Sequence, residues 1–219
     1  MKKIIYVLLF SLILISCDPS VNYFKKGNEY AEDGKYDKAL EFYQKALDIN
    51  PSLASVYYKM GIVYNDMKKY NEALECYEKT IEINPDHAYA YNNMGYIYGN
   101  QRKNDKAIEC YEKAIEINPN DANAYYNLGY NYGNKSHFNK AKECYEKAIV
   151  INPNNAHAYY NLGIINRRKK TTAADNFYQA GVLFLKQNDR QHVLKSLEMI
   201  EKYAPKSELI IRLKNKLYE

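Results

Sequence analysis

Cysteine and histidine are the side chains of this sequence best suited to chemistry, and their spacing limits what they can do. Cys76, Cys110 and Cys144 recur every 34 residues. Thiols in an oxidising compartment could pair or hold a metal. Equivalent positions on stacked helical units, however, lie about 10 Å apart, beyond the Cα separation of about 7 Å that a disulfide tolerates. Buried free thiols are therefore the expectation. None of the four Cys and four His stands in a CxxC or HxxxH arrangement, so no metal site and no cofactor is predicted. His87, His137, His157 and His192 share no helix-face spacing with a carboxylate or with one another and read as surface or packing residues. There is no Ser-His-Asp order, glycine-rich phosphate loop or paired acid cluster. Carboxylates such as those of Glu109 and Glu112 sit in amphipathic patterns typical of solvated helix faces. The chain is not predicted to be an enzyme.

Composition narrows the class further. With 47% hydrophobic residues and only 9 Gly and 6 Pro in 219 residues, the chain is apolar enough to fold into one or two packed domains. A formal charge of +5 is too small to argue for nucleic acid. That charge is also uneven: residues 20–155 carry 17 basic and 19 acidic side chains, whereas 156–219 carry 12 and 6. Tyrosine supplies 25 residues against 6 Phe and no Trp, giving rings that pack on one edge and hydrogen-bond on the other. Such rings suit binding surfaces.

One cysteine stands apart. Lys2 and Lys3 precede the apolar stretch Ile4 to Ile15, the charged-then-apolar design of a secretory signal, and too short for the roughly 20 residues of a spanning helix. The run Leu14-Ile15-Ser16-Cys17 resembles the lipobox of bacterial lipoproteins. That resemblance implies a signal peptide over 1–16, cleavage before Cys17, acylation of its thiol and amine, and a lipidated N-terminus over 17–19. The protein is then expected in a bacterial cell envelope, lipid-anchored to a membrane on its extracytoplasmic side.

A 34-residue period organises the remainder. Asn-Pro recurs at 50–51, 84–85, 118–119 and 152–153; Gly27, Gly61, Gly95, Gly129 and Gly163 form one column; Ala39, Ala73, Ala107 and Ala141 form another; and Tyr43, Tyr77, Tyr111 and Tyr145 follow four residues after it. Within each block apolar and small residues return at offsets of three and four, the spacing of one helix face. The polar segment Gly99 to Asp105 reads as a turn, and Pro119 is expected to start the next helix. A helix-interior glycine costs up to about 1 kcal/mol relative to alanine, so the glycine column requires close approach of a partner helix. A single hairpin cannot bury its own apolar face, but stacked neighbours can.

These columns resemble tetratricopeptide repeats, the 34-residue helix-turn-helix unit. The resemblance implies an all-α, right-handed α-solenoid with four complete repeats, 20–53, 54–87, 88–121 and 122–155, then degenerate repeat helices over 156–207 and a C-terminal capping helix over 208–219. Past Arg168 two registers compete. In one, Ala174, Tyr178 and Gly181 are second-helix residues after a single deletion. In the other, 174–207 is a divergent repeat using Phe177, Gly181, Phe184, Val193, Leu197 and Ile200.

The resemblance also implies a concave groove lined by first helices. Its positions collect Tyr89, Asn92, Asn93, Tyr96 and Asn100 from the third repeat and Asn123, Tyr126, Asn127, Tyr130 and Asn134 from the fourth. The fifth adds His157, Tyr160, Asn161, Arg167 and Arg168. Tyrosine gives contact area at low entropy cost, and asparagine offers both donor and acceptor. Asn93, Asn127 and Asn161 form a ladder able to pair with the backbone of an extended peptide. Arg167 and Arg168 would hold an acidic segment there if the fifth repeat keeps register. The carboxylate-clamp subset of the family is not matched, because Phe24 and Lys59 stand where it needs Lys and Asn. The expected function is a non-enzymatic, membrane-anchored scaffold binding a protein or peptide in this groove. The rival reading is a carrier or chaperone for cell-envelope glycans.

Overall fold

A computed structural model describes residues 18–218; the segment expected to be a signal peptide, 1–16, and Cys17 lie outside the described residues. Twelve α-helices and no strand occur among them, in a repeat arrangement. The helices are α1 (Pro19–Glu32), α2 (Tyr36–Ile49), α3 (Ala54–Asp66), α4 (Tyr70–Ile83), α5 (Ala88–Asn100), α6 (Asn104–Ile117), α7 (Ala122–Asn134), α8 (Phe138–Ile151), α9 (Ala156–Ile165), α10 (Lys170–Lys186), α11 (Arg190–Tyr203) and α12 (Leu209–Tyr218). The chain divides into two compact units, one up to Ile97 and one from Tyr98 onward. Within each, a helix packs chiefly on its sequence neighbours.

The turn inside every hairpin but the fifth has a common chemistry. Gly34, Lys68, Arg102, Ser136 and Asn188 all have φ between 57° and 72°. The next residue's N–H returns to a first-helix carbonyl, as from Lys69 to Tyr64 at 2.8 Å and from His137 to Tyr132 at 2.9 Å. This is the left-handed helix ending usually given to glycine, yet only the first hairpin has one there. The turn in the third hairpin is shorter than Gly99 to Asp105, because α5 continues to Asn100 and α6 begins at Asn104.

Between hairpins the asparagine before each proline does the work. Asn50, Asn84, Asn118 and Asn152 each accept, on Oδ1, the N–H two residues on, at 3.0–3.3 Å. Their own N–H groups close the preceding helix, as from Asn118 to the Ala114 carbonyl at 2.8 Å. Pro119 therefore lies in the turn and does not start a helix; α7 begins at Ala122, capped by Asp121 Oδ1. The asparagine side chain and the fixed proline φ together set a tight reversal.

The glycine column seats aromatic rings. A Cβ on Gly27, Gly61 or Gly129 would fall 2.5, 2.5 or 2.9 Å from the ring of Tyr43, Tyr77 or Tyr145 of the same hairpin. Those rings, with Ala39, Ala46, Ala73, Ala141 and Ala148, are almost wholly buried. Thr80 stands where the neighbouring repeats have alanine and satisfies its hydroxyl on the Cys76 carbonyl at 2.9 Å.

At the C-terminal end the fifth hairpin is shortened. Gly163 receives the ring of Phe177, 14 residues on, where the earlier hairpins need 16. The turn is a short 3-10 segment, Asn166–Arg168, followed by Lys169 at φ −96°, in place of a left-handed residue. The second-helix positions thus fall on Ala173 and Phe177, not on Ala174 and Tyr178. The long helix α10 then serves a second time. Gly181 faces Ser196 on α11 and Leu213 on α12, where a Cβ would lie 2.6 Å from the leucine Cδ2. Phe184, Val193, Ile200 and Leu213 complete this core. One helix closes the fifth hairpin and opens the sixth, which is how two overlapping registers coexist.

Candidate functional site

The first helices carry the candidate binding residues, and the structure sorts these into two groups. In the N-terminal unit, Asn93 Nδ2 donates to the hydroxyl oxygens of Tyr77 at 3.3 Å and Tyr58 at 3.5 Å. The Tyr58 ring packs 5.9 Å from that of Tyr77 and 4.5 Å from His87. Burial drives the Tyr77 phenol far above its ordinary range, so it stays a neutral hydroxyl that can accept this bond. In the C-terminal unit the pattern recurs 68 residues on, with Asn161 Nδ2 donating to Tyr145 OH at 3.3 Å. There the Tyr126 ring lies 5.8 Å from Tyr145 and the Tyr160 ring lies edge-on to Phe177 at 5.3 Å. Asn93 and Asn161 therefore tie one hairpin to the tyrosine of the hairpin before it. Asn127 is half-buried, its carbonyl accepting from Asn131 Nδ2 at 2.8 Å. Of the expected ladder, Asn93 and Asn161 are half-buried and spend amide donors on tyrosine hydroxyls of the protein itself.

The second group is open. Tyr89 is 59% exposed, and Tyr96 and Tyr130, equivalent positions in consecutive repeats, are each 51% exposed. Asn100, Asn123 and Asn134 are exposed as well, whereas Asn92 is half-buried. In the C-terminal unit, Asn100, Tyr130 and Asn134 border a hollow of about 450 Å³ together with Gly99, Arg102 and Asn104. Arg102 and Asn104 escaped the sequence reading because neither lies on a first-helix face: Arg102 falls in the turn and Asn104 opens the second helix. The signal that could have found Arg102 is its column, shared at 34-residue spacing with Gly34, Lys68 and Ser136.

Arg167 and Arg168 are displaced from their expected place. Helix α9 stops at Ile165, so both lie in the 3-10 turn. Arg167 leans over the Phe138 ring at 5.8 Å and donates to the Ile164 carbonyl at 3.3 Å. Shortening of the fifth hairpin breaks the register that would have aimed them at a ligand.

The reactive residues are quiet. Cys76 and Cys144 are buried free thiols, and Cys110 is partly buried. Burial pushes the Cys76 thiol up to about 12 and that of Cys144 to about 11, which suppresses thiolate chemistry. Among the described residues no group of three or more His, Cys, Asp or Glu is placed to hold a metal ion. The histidines are less isolated than their spacing suggested. Asp189 caps α11 through the His192 N–H at 3.1 Å, and its second oxygen meets His192 Nδ1 at 2.7 Å. That backbone bond chiefly holds the Asp189 carboxyl below its usual range. His157 lies edge-on to both His192, at 5.4 Å, and Phe184, at 4.9 Å. Burial, with His192 close by, lowers its pKa. Among the described residues no helix is long and apolar enough to cross a membrane.

Comparison with known proteins places this architecture. Models of the tetratricopeptide repeat match residues 52–120, 86–154 and 144–189, and a TPR repeat model matches 27–68. No curated protein matches the chain. Among solved structures, a MamA protein is 30% identical over 74% of this chain and 96% of its own, with a TM-score of 0.68. MamA from Desulfovibrio magneticus RS-1 is 25% identical, covering 78% and 97%, at 0.70. YrrB, a TPR protein described as having an unusual peptide-binding site, is 22% identical, covering 94% and 97%, at 0.60, and shows likeness of fold alone. With its period, its glycine-seated rings and these matches, the chain belongs to the tetratricopeptide repeat family.

Proposed function

We propose that the chain is a non-enzymatic interaction scaffold that binds an extended segment of a partner protein along its first helices. In this reading Cys17 carries a lipid that holds it to the extracytoplasmic side of a bacterial membrane. The observation that carries the binding reading is the repeated half-exposed tyrosine, Tyr96 and Tyr130, one on each unit. A large ring left half in water at an equivalent position of consecutive repeats gives contact area with little ordering cost. Its neighbours Asn100 and Asn134 have no side-chain partner among the described residues and add donors and acceptors. The peptide-binding site named for YrrB belongs to that protein, and this chain shares its fold.

Crosslinking mass spectrometry in the native host, comparing the wild type with Tyr96→Ala and Tyr130→Ala, tests the binding surface. Loss of particular partner crosslinks near the substituted tyrosine supports it. An unchanged partner set argues against it, and retention of polysaccharide with no protein transfers the site to a glycan. For the anchor, a clickable fatty acid should label the wild type and spare Cys17→Ser. Equal labelling of both removes the lipid from the account.

A further inference from the structure

The hollow at the turn end of the third and fourth hairpins is chemically one-sided. Its lining residues are Gly99, Asn100, Arg102, Asn104, Tyr130 and Asn134. They bring three amides, a phenol and a guanidinium to one place and no carboxylate. The nearest acid by sequence, Asp105, is occupied by an ion pair with Lys135. Arg102 has no ion pair among the described residues, so the hollow keeps an uncompensated positive charge. Two polar atoms beside it are unsatisfied. Asn104 Oδ1 is buried with no hydrogen-bond partner, and so is Oδ1 of Asn131, itself only 2% exposed. The Asn131 amide stands directly against the bare Cα of Gly99, where a Cβ would come within 3.3 Å of Oδ1. Glycine at this place keeps the amide and the hollow adjacent. An unpaired buried acceptor costs free energy until a donor reaches it.

From this arrangement we propose that the hollow is a carboxylate subsite for the peptide bound by the scaffold, an inference that rests on the peptide reading above. The carboxylate accepts from the Arg102 guanidinium and from the Asn100 and Asn134 amides, with the Tyr130 hydroxyl as a further donor. Charge-assisted bonds of this kind are the strong ones. The peptide's own N–H groups supply the donor that the Asn104 oxygen lacks, which a bare anion would not. The volume suits one acidic residue or one chain terminus, and the polar lining disfavours an apolar anchor. The residues of the hollow are not those of the family's carboxylate clamp, from which the sequence departs at Phe24 and Lys59.

The test is retention of the wild type and of Arg102→Asn on an array of short peptides. Their Asp and Glu are matched by Asn and Gln in sister sequences, and each ends in a free carboxylate or an amide. Asparagine tolerates the left-handed φ of 58° at this position, so the variant should fold, as circular dichroism will show; Arg102→Gly offers a second compatible backbone. The wild type should hold acidic peptides about tenfold more tightly than their neutral sisters, and both variants should lose that preference while keeping neutral peptides. A preference abolished by amidation assigns the site to a chain terminus; one that survives amidation assigns it to an acidic side chain. Equal retention of acidic and neutral peptides by the wild type, or equal loss of both on substitution, overturns the subsite and leaves the peptide reading standing. Retention of no peptide by any form overturns both.

Discussion

The amide of Asn161 donates to the hydroxyl oxygen of Tyr145 at 3.3 Å, joining the first helix of the fifth hairpin to the second helix of the fourth. Asn93 makes the same bond to Tyr77. A residue that looks like ligand-reading chemistry in the sequence is thus part of the seam between repeats. Asn161→Ala is expected to lower stability by about 1 kcal/mol, the net worth of one such bond. That corresponds to a fall of about 2–4 °C in melting temperature, measured by calorimetry. An unchanged melting temperature would show that the bond holds nothing together.

The seat beneath Tyr77 makes a sharper prediction. A methyl group on Gly61 would lie 2.5 Å from the buried ring, so Gly61→Ala should cost about 1–3 kcal/mol by overpacking, even though alanine is the better helix former by about 1 kcal/mol. Urea titration of Gly61→Ala, Tyr77→Leu and the double variant measures the coupling. The double variant should lose less than the sum of the two, and strict additivity would mean that glycine and ring are not in contact.

How much of this was legible beforehand depends on what kind of force sets each feature. The 34-residue columns of Gly, Ala and Tyr announced the hairpins, because burial of one helix face leaves a periodic trace. Gly27, Gly61 and Gly129 were recognisable as contact points, although which ring filled them was not. The bonds of Asn93 and Asn161 to tyrosine hydroxyls were not legible, because periodicity fixes a face and not what a side chain meets there; an amide at the seam and an amide in a groove have the same spacing. Past Arg168, a turn shortened by two residues let Phe177 replace the expected second-helix tyrosine and let Gly181 open another hairpin, and no period survives such a change. Arg102 went unnoticed because the turn has no face at all, and Asn104 because it opens a second helix and not a first. Cys17 was read from chemistry that lies outside the described residues, and it stands or falls on acyl labelling.

The left-handed turn residues predict a gain. Lys68 and Ser136 hold φ of 60° and 61°, a conformation that costs a residue with a Cβ roughly 1–2 kcal/mol. Lys68→Gly and Ser136→Gly should therefore each stabilise by about 0.5–1 kcal/mol, after allowing for the greater freedom of glycine in the unfolded chain. Chemical denaturation reads this directly, and a loss in both variants would show that the side chains themselves support the turn.

Alkali should unfold the protein early. Burial raises the Tyr43 phenol from 10.0 to about 12 and the Cys76 thiol from 9.0 to about 12. The folded chain keeps these protons while the unfolded chain releases them near the ordinary values. From about pH 9 upward the native state then binds more protons than the unfolded one, and its stability falls as pH rises. Urea midpoints measured across that window should decline steadily, and tyrosinate absorbance from the buried rings should appear together with unfolding. Midpoints flat through that range would contradict the burial of these groups.

The central claim is that exposed first-helix tyrosines receive the partner while the asparagine column holds the repeats together. The most direct measurement compares Tyr130→Ala with Asn161→Ala on both melting temperature and retention of array peptides. The account predicts that Tyr130→Ala loses peptide with its melting temperature nearly unchanged, and that Asn161→Ala loses stability while keeping peptide. Peptide retention that ignores Tyr130 but follows Asn161 would contradict it.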